Sequence, residues 1–220
     1  MKISSLQKGL VGHWTMAQDS LKGSLLADKT PYENDGTIYG ATFATDRKGQ
    51  ANKCMYFDGV NDYVNCGTFD KLSESTINVW ISGDTTQNTF AGIVFAGDSD
   101  NGFGLAIMSG KVLHRISNGA TSNSWSIETF NFPNDWYMLT ITDDGTTRKY
   151  YKNGVYISQY TNTIVNSGTK QALSLGRWGT YTPSDSHFNG SIDDVRIYNR
   201  ALSQAEITLL YNSYNPILRI

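Results

Sequence analysis

The chain has 220 residues, of which 39% are hydrophobic and 17% charged, and its formal net charge is −2. This length is sufficient for one sizeable core, and the composition differs from that of a disordered segment or a coiled coil. No block of basic residues is present, so nucleic-acid binding through phosphate neutralisation is disfavoured. No apolar run has the length of a membrane span, which argues against membrane insertion.

The chain start lacks a continuous apolar segment long enough for a signal peptide. We interpret residues 1–8 as a short N-terminal arm. No Pro-rich or Ser-rich linker interrupts the rest of the chain. Residues 9–220 are therefore expected to form one domain.

Short segments rich in β-branched and aromatic residues follow one another, with turn signals spaced at about 8 to 12 residues. The predicted strands are 10–16, 41–43, a hairpin over 54–66, 76–82, 90–96, 103–108, 111–117, 136–143, 149–151, 173–176 and 191–198. Asp144-Gly145 and Asn153-Gly154 are typical of tight turns between antiparallel strands. The pattern predicts an all-β sandwich or jelly roll.

The two cysteines, Cys54 and Cys66, frame the predicted hairpin. If the turn centres on Val60, the two thiols lie opposite each other on antiparallel strands, where a strained disulfide is possible. Two free cysteines are equally compatible with the sequence. The redox state therefore stays open.

The stretch from Gly190 to Ile207 combines a strand with a short helix. Ile192 and Val195 are residues that a pleated surface favours. Ser203 and Glu206 have the spacing of a capping box and precede an apolar helical face. This is the one convincing helix that the sequence predicts.

Two consecutive aspartates, Asp193 and Asp194, interrupt this otherwise apolar strand. A buried carboxylate is costly without a partner. A metal ion, an arginine or a run of backbone N–H groups could supply one. Alternatively, one aspartate faces solvent and the other caps a turn.

The order of these segments resembles the concanavalin A-like, laminin-G-like jelly-roll family over residues 9–213. The matching segments are Gly9–Trp14, Asn34–Thr37, Phe57–Val64, Ile77–Trp80, Trp136–Ile141, Tyr151–Gly154, Leu175–Gly176 and Gly190–Ile207. The resemblance implies a two-sheet antiparallel jelly-roll sandwich with one short C-terminal helix. Members are mostly carbohydrate-binding or protein-binding modules, often with calcium, and a minority are glycoside hydrolases.

Catalysis on this fold would need paired carboxylates. Retaining glycoside hydrolysis uses two carboxylates about 5 Å apart, and hydrolases of this family carry them at alternating positions of one strand. The glutamates are Glu33, Glu74, Glu128 and Glu206, and none precedes an acidic residue by two or four positions within a predicted strand. Glu33 and Asp35 come nearest but lie in a turn-rich loop. We therefore expect a protein that is not an enzyme.

A structural calcium ion is implied by the resemblance, because similar modules often use one to join the N-terminal loop to the last strand. The matching positions are Asp19, Asn34, Gly36 and Asp193. Calcium prefers carboxylate and carbonyl oxygens. The first and last strands of a jelly roll are neighbours, so these positions are expected to converge.

The alternative to calcium needs no metal ion. Asp19 and Asp35 would form turns by bonding their own backbone. Asp193 would then pair with an arginine such as Arg196 or Arg200. Both interpretations stay open at this point.

Sugar binding uses aromatic rings for stacking and polar side chains for the hydroxyl groups. Trp14, Trp80 and Trp136 lie within predicted strands, at positions that the resembling family fills with core aromatics. We expect these three rings to pack in the core.

Trp125 and Trp178 have Ser, Thr, Asn and Gly neighbours, so we expect them to be exposed. Arg177, Trp178, Tyr181 and Asp185 form the predicted ligand-binding group. Trp125 and the loop over 98–101 are expected to form its walls.

Two functions are consistent with this sequence. The first is a non-catalytic carbohydrate-recognition module that binds a glycan or protein ligand with a structural calcium. The second is a structural or adhesion protein, such as a virion surface or tail component, that uses the sandwich for assembly as a homo-oligomer or a larger particle. The sequence leaves the location unknown, with the extracellular space and the virion surface as candidates.

Overall fold

The computed structural model describes residues 3–84, 86–98, 101–117, 122–129, 135–161, 170–179 and 186–214. The strands of these ranges are β1 (Leu10–Trp14), β2 (Leu21–Lys22), β3 (Leu25–Leu26), β4 (Gly36–Tyr39), β5 (Thr42–Ala44), β6 (Cys54–Asp58), β7 (Tyr63–Phe69), β8 (Ser75–Gly83), β9 (Phe90–Gly97), β10 (Gly102–Met108), β11 (Lys111–Ser117), β12 (Ser122–Thr129), β13 (Tyr137–Asp143), β14 (Thr147–Lys152), β15 (Val155–Thr161), β16 (Gln171–Leu175) and β17 (Asn189–Tyr198). The helices are two 3₁₀ helices, Ile3–Gln7 and Gln18–Ser20, and the α-helix α1 (Gln204–Tyr214).

The strands form two antiparallel sheets. The eight-stranded sheet has the order β15-β14-β13-β8-β17-β6-β5, with β1 also paired to β17. The nine-stranded sheet has the order β12-β11-β10-β9-β16-β7-β4-β3-β2. The chain is therefore all-β, a two-sheet antiparallel jelly-roll sandwich with one short C-terminal helix, as the sequence predicts.

Side chains alternate between the inner and outer faces of each sheet, as the pleat requires. In β7, Val64 and Cys66 are buried in the core between the sheets, whereas Tyr63 and Asn65 are only half-buried. Trp14 is fully buried in the same core, as predicted. Alternation therefore identifies which residues of β7 lie on the outer face of the nine-stranded sheet.

The outer face of the eight-stranded sheet is covered by α1 and the N-terminal 3₁₀ helix. Trp80 and Tyr198 of this face pack with Leu6 of the 3₁₀ helix and Ile207 of α1 in a second apolar cluster. Trp80 is buried as predicted, and Trp136 is half-buried against this cluster. Among the described residues, no helix covers the outer face of the nine-stranded sheet.

The predicted hairpin between Cys54 and Cys66 is wrong. β6 pairs with β5 and β17 in one sheet, whereas β7 pairs with β4 and β16 in the other. The turn between them carries the chain across the sandwich: Asp62 Oδ2 accepts the Asp58 N–H at 2.9 Å. Both cysteines are buried and free. The alternative with two free thiols therefore describes this structure.

Two shorter hairpins are confirmed. β13 pairs with β14 and β14 with β15, on either side of the predicted turns. None of the helices in the described ranges has the length and apolar character needed to cross a membrane.

Candidate ligand-binding surface and the predicted metal residues

Asp193 and Asp194 lie at a β-bulge in β17. The register between β17 and β8 shifts between Asp193 and Arg196, and Asp194 has a left-handed φ of 44°. An extra residue on one strand is the defining feature of a bulge. Ile192 and Val195, on either side, point into the core. The bulge therefore leaves both carboxylates away from the apolar inner face.

Each of the two aspartates has its own basic partner. Asp193 forms an ion pair with Arg47, whose guanidinium lies 4.6 Å from the centre of the Trp80 ring. Asp194 accepts from His13 Nε2 at 2.7 Å and from Arg196 Nε at 3.1 Å. Burial opposes the ionisation of Asp194, but Arg196 and His13 outweigh it and hold its pKa below the usual range.

The arginine that pairs with Asp193 is thus neither of the two that the sequence suggested. Arg196 pairs with Asp194, and Arg200 forms two hydrogen bonds with Glu206, at 2.9 and 2.8 Å. Arg47 comes from the loop between β5 and β6, far from Asp193 in the sequence.

The other predicted calcium ligands have partners of their own. Asp19 pairs with Lys53. The Asn34 amide donates to Asp28 Oδ2 at 3.0 Å, and Gly36 begins β4, where it pairs with Leu26. Asp19 and Asp193 line a common pocket, whereas Asn34 and Gly36 do not line it.

A pocket of about 410 Å³ contains two of the four predicted ligands, Asp19 and Asp193. Four basic residues also line it: Lys29, Arg47, Lys48 and Lys53. Among the described residues, no group of three or more His, Cys, Asp or Glu side chains could hold a metal ion. Calcium prefers a shell made only of oxygen ligands, whereas positively charged lysine and arginine side chains line this pocket beside the aspartates. The residues present therefore do not fit a calcium ion.

Trp178 is buried, with 3% of its surface exposed, so the expectation that it is exposed is wrong. Its ring stacks on Phe95 at 4.5 Å and covers an apolar patch on the outer face of the nine-stranded sheet. The adjacent Gly179 is close to the sheet, because a Cβ there would lie 1.7 Å from the Gly97 carbonyl oxygen. This glycine allows close packing rather than loop exposure. A ring this deeply buried offers almost no surface to a ligand.

Trp125 lies on the opposite side of the same sheet. Its cross-strand neighbour is His114, which in turn pairs with Leu105 of the core. The ring is half-buried and stacks on Tyr160 of β15 at 6.0 Å. Trp125 therefore joins the edges of the two sheets and does not form a wall beside Trp178. Two further predicted ligand residues, Tyr181 and Asp185, are outside the described residues, as is part of the 98–101 loop.

Arg177 does lie on the outer face of the nine-stranded sheet. Its guanidinium carbon is 3.7 Å from the centre of the Tyr63 ring. Tyr63 stacks on Tyr39, its cross-strand neighbour in β4, with ring centres 4.5 Å apart and planes 11° apart. Tyr39 is 44% exposed. We call Tyr39, Tyr63 and Arg177 the tyrosine–arginine row.

His187 adjoins the row. Its backbone pairs with that of Arg177 in an isolated antiparallel β-bridge. Its ring centre is 6.4 Å from that of Tyr63. The imidazole is buried, which lowers the pKa of His187, and the charge of Arg177 lowers it further. Both effects favour the neutral form of the imidazole.

Tyr39, Tyr63 and His187 were not identified from the sequence. The alternation of Tyr63, Val64, Asn65 and Cys66 could have shown that Tyr63 points outwards. Its pairing with Tyr39 requires the register of β4 and β7, which the predicted hairpin obscured.

Solved structures with the same fold include binding domains of larger proteins. Domain 4 of AbnA, a GH43 extracellular arabinanase from Geobacillus stearothermophilus, was solved in complex with arabinotriose. It matches with a TM-score of 0.73 and 21% identity, covering 92% of this chain and 98% of that one. The binding domain of Paraclostridial Mosquitocidal Protein 1 matches with a TM-score of 0.72 and 17% identity, covering 95% of this chain.

A structure of botulinum neurotoxin type C, whose cell entry depends on interaction with two ganglioside molecules, matches with a TM-score of 0.72 and 14% identity over 96% of this chain. The present chain spans about half of each toxin chain, 53% in both cases. At these identities the likeness shows the fold alone.

A comparison with curated protein sequences finds no match. The sequence model described as the concanavalin A-like lectin/glucanases superfamily matches residues 58–208, well over half of the chain. The chain belongs to this superfamily.

Proposed function

We propose that this protein is a non-catalytic carbohydrate-binding module, and that its sugar-binding surface includes the tyrosine–arginine row. The observation that carries the proposal is the Tyr39–Tyr63 stack, which presents a half-exposed aromatic ring beside a guanidinium. Aromatic faces with a few adjacent polar groups are the usual means of holding a sugar. The row lies on the sheet face that lacks a helical cover among the described residues.

Two carboxylates of the described residues near the row, Asp58 and Asp62, support a binding role without catalysis. Asp58 Oδ1 accepts the N–H of Val60 at 2.8 Å, and Asp62 Oδ2 accepts the N–H of Asp58 at 2.9 Å. Burial raises the pKa of Asp62. Both carboxylates are therefore engaged in forming their own turn.

The solved relatives support the same function. One relative is a domain solved in complex with arabinotriose, and another is a neurotoxin whose cell entry depends on ganglioside molecules. A shared fold does not determine function by itself. The proposal therefore depends on the row and is tested there.

The test is binding to a glycan array, followed by titration of the best glycan with the wild type and with Tyr39→Ala. Losing the exposed ring should weaken binding about tenfold, which corresponds to about 1.4 kcal/mol. Tyr156→Ala is the matched control, because Tyr156 is also 44% exposed but lies on β15 of the other sheet. Equal affinity of Tyr39→Ala and the wild type would reject this surface. Absence of any glycan binding by the wild type would reject the function.

Assembly is a second candidate, favoured by one observation. β15 is an edge strand of the eight-stranded sheet, and its residues Val155, Tyr156 and Ile157 are 62%, 44% and 42% exposed. Exposed apolar edge strands can pair with another chain. We expect a concentration-dependent mass in light scattering that Ile157→Lys abolishes. A constant monomer mass would argue against assembly.

A further inference from the structure

Three buried polar atoms next to the tyrosine–arginine row have no hydrogen-bond partner among the described residues. They are Arg177 Nε, Ser186 Oγ and His187 Nδ1. His187 is 8% exposed and Ser186 is fully buried. Buried polar groups in folded proteins nearly always have a partner. They cluster where the backbone of Arg177 pairs with that of His187, and the described residues leave their hydrogen-bonding capacity unfilled.

Arg177 has unused donor capacity in this cluster. Of the five N–H donors of a guanidinium, one bonds to a described residue, Nη2 to Ser174 Oγ at 3.3 Å. No ion pair among the described residues involves Arg177. The stack on Tyr63 fixes the plane of the guanidinium without supplying an acceptor. A planar, oriented group of N–H donors matches a carboxylate.

Two acidic residues nearby do not fulfil this need. Asp58 and Asp62 bond to backbone N–H groups of their own turn. Their negative charge disfavours an anion that approaches over the turn.

We infer that this module prefers acidic oligosaccharides and that Arg177 recognises the carboxylate of a uronic or sialic acid unit. The inference rests on the proposed function and names the ligand class of the same surface. Tyr63 lies between Tyr39 and Arg177 in the row. One sugar unit therefore contacts Tyr39, while the acidic unit of the same chain reaches Arg177.

The decisive comparison uses one saccharide with and without its charge. Hexameric galacturonate and its methyl ester have the same ring and linkage, and only the first carries carboxylates. We expect the wild type to bind the acid at least tenfold more tightly than the ester. A sialyl oligosaccharide and its asialo form make the second arm, and the arm with the larger ratio identifies the source of the carboxylate.

Arg177→Gln should abolish this difference, because it removes the group that distinguishes the acid from the ester. Lys170→Gln, which removes one positive charge from an exposed ion pair with Asp70, should leave the difference intact. Equal binding of acid and ester by the wild type, together with equal binding of the sialyl and asialo forms, would overturn the inference and leave the proposed function standing. Absence of binding to every saccharide would reject the proposed function as well. If Arg177→Gln does not fold, the wild-type comparison decides the question alone.

Discussion

Single residues of this sandwich are stabilised by contacts that their neighbours in the sequence do not reveal. Asp193 and Asp194 are 4% and 5% exposed, yet each is buried together with a basic group. Because Asp194 adopts a left-handed conformation, which aspartate tolerates better than most residues, β17 can place both carboxylates beside these bases. Breaking one such buried pair typically costs about 3 to 5 kcal/mol, since a charge is left unpaired.

His114 makes the stability dependent on pH. It is 3% exposed in the core, and burial, with a smaller effect from the charge of Arg148, lowers its pKa from 6.5 to about 3. Between pH 6.5 and about 3, the unfolded chain therefore binds a proton at His114 that the folded chain does not bind. The contribution of His114 to the free energy of unfolding should be fully present above pH 6.5. It should fall by up to about 1.4 kcal/mol per pH unit as the pH drops towards 3.

Urea denaturation of the wild type and His114→Gln at several pH values from 5 to 7.5 measures this contribution. The pKa of His187 is also lowered, but it remains in both proteins and cancels in the difference. His114→Gln should show the shallower dependence. The same slope in both proteins would show that His114 is not buried uncharged.

At the scale of the element, α1 is held by its first turn. The Ser203 N–H donates to Glu206 Oε2 at 2.9 Å, and the Glu206 N–H donates to Ser203 Oγ at 3.3 Å, which is the predicted capping box. Arg200 pairs with the same carboxylate and donates to the carbonyl oxygen of Ser5. The pair with Arg200 lowers the pKa of Glu206 to about 2. One carboxylate thus joins α1 to the N-terminal 3₁₀ helix.

Ser203→Ala should destabilise the protein by about 1 kcal/mol, because one N–H of the first turn loses its acceptor. Ser203→Thr keeps the hydroxyl and is the control. Glu206→Gln should cost more, since it also removes the charge that Arg200 binds. Equilibrium unfolding measures the three variants. A Ser203→Ala loss equal to that of Ser203→Thr would contradict the role of the cap.

The elements themselves were largely predictable, whereas their partners were not. The alternation around Val64 and the capping box at Ser203 are local patterns, so they identify a strand and a helix. Whether Cys54 lies opposite Cys66 depends on how the chain crosses between sheets. The burial of Trp178 could not be predicted for a similar reason, because the apolar patch that its ring covers is built from three strands, β9, β10 and β11.

At the scale of the whole molecule, the candidate surface results from strand order. Tyr39, Tyr63 and Arg177 become neighbours because β4, β7 and β16 are adjacent in the nine-stranded sheet and Arg177 follows the end of β16 by two residues. Arg177 was identified from its local sequence, but the two tyrosines required the register. Among the described residues, α1 packs on the other sheet, and Tyr39 on the face of the row is 44% exposed. The location of the surface is therefore a property of the complete sandwich.

The attachment of the last strand to the rest of the molecule should not require calcium. Arg47 supplies the positive charge beside Asp193, and Lys53 supplies it beside Asp19. The melting temperature of the wild type should therefore be the same in a chelator and in millimolar calcium, whereas a bound ion would raise it. Arg47→Ala should melt at a lower temperature, because Asp193 is left buried without its partner. Lys48 is the exposed neighbour of Arg47, and Lys48→Ala should not lower the melting temperature. A calcium-specific rise in the wild type would contradict this expectation.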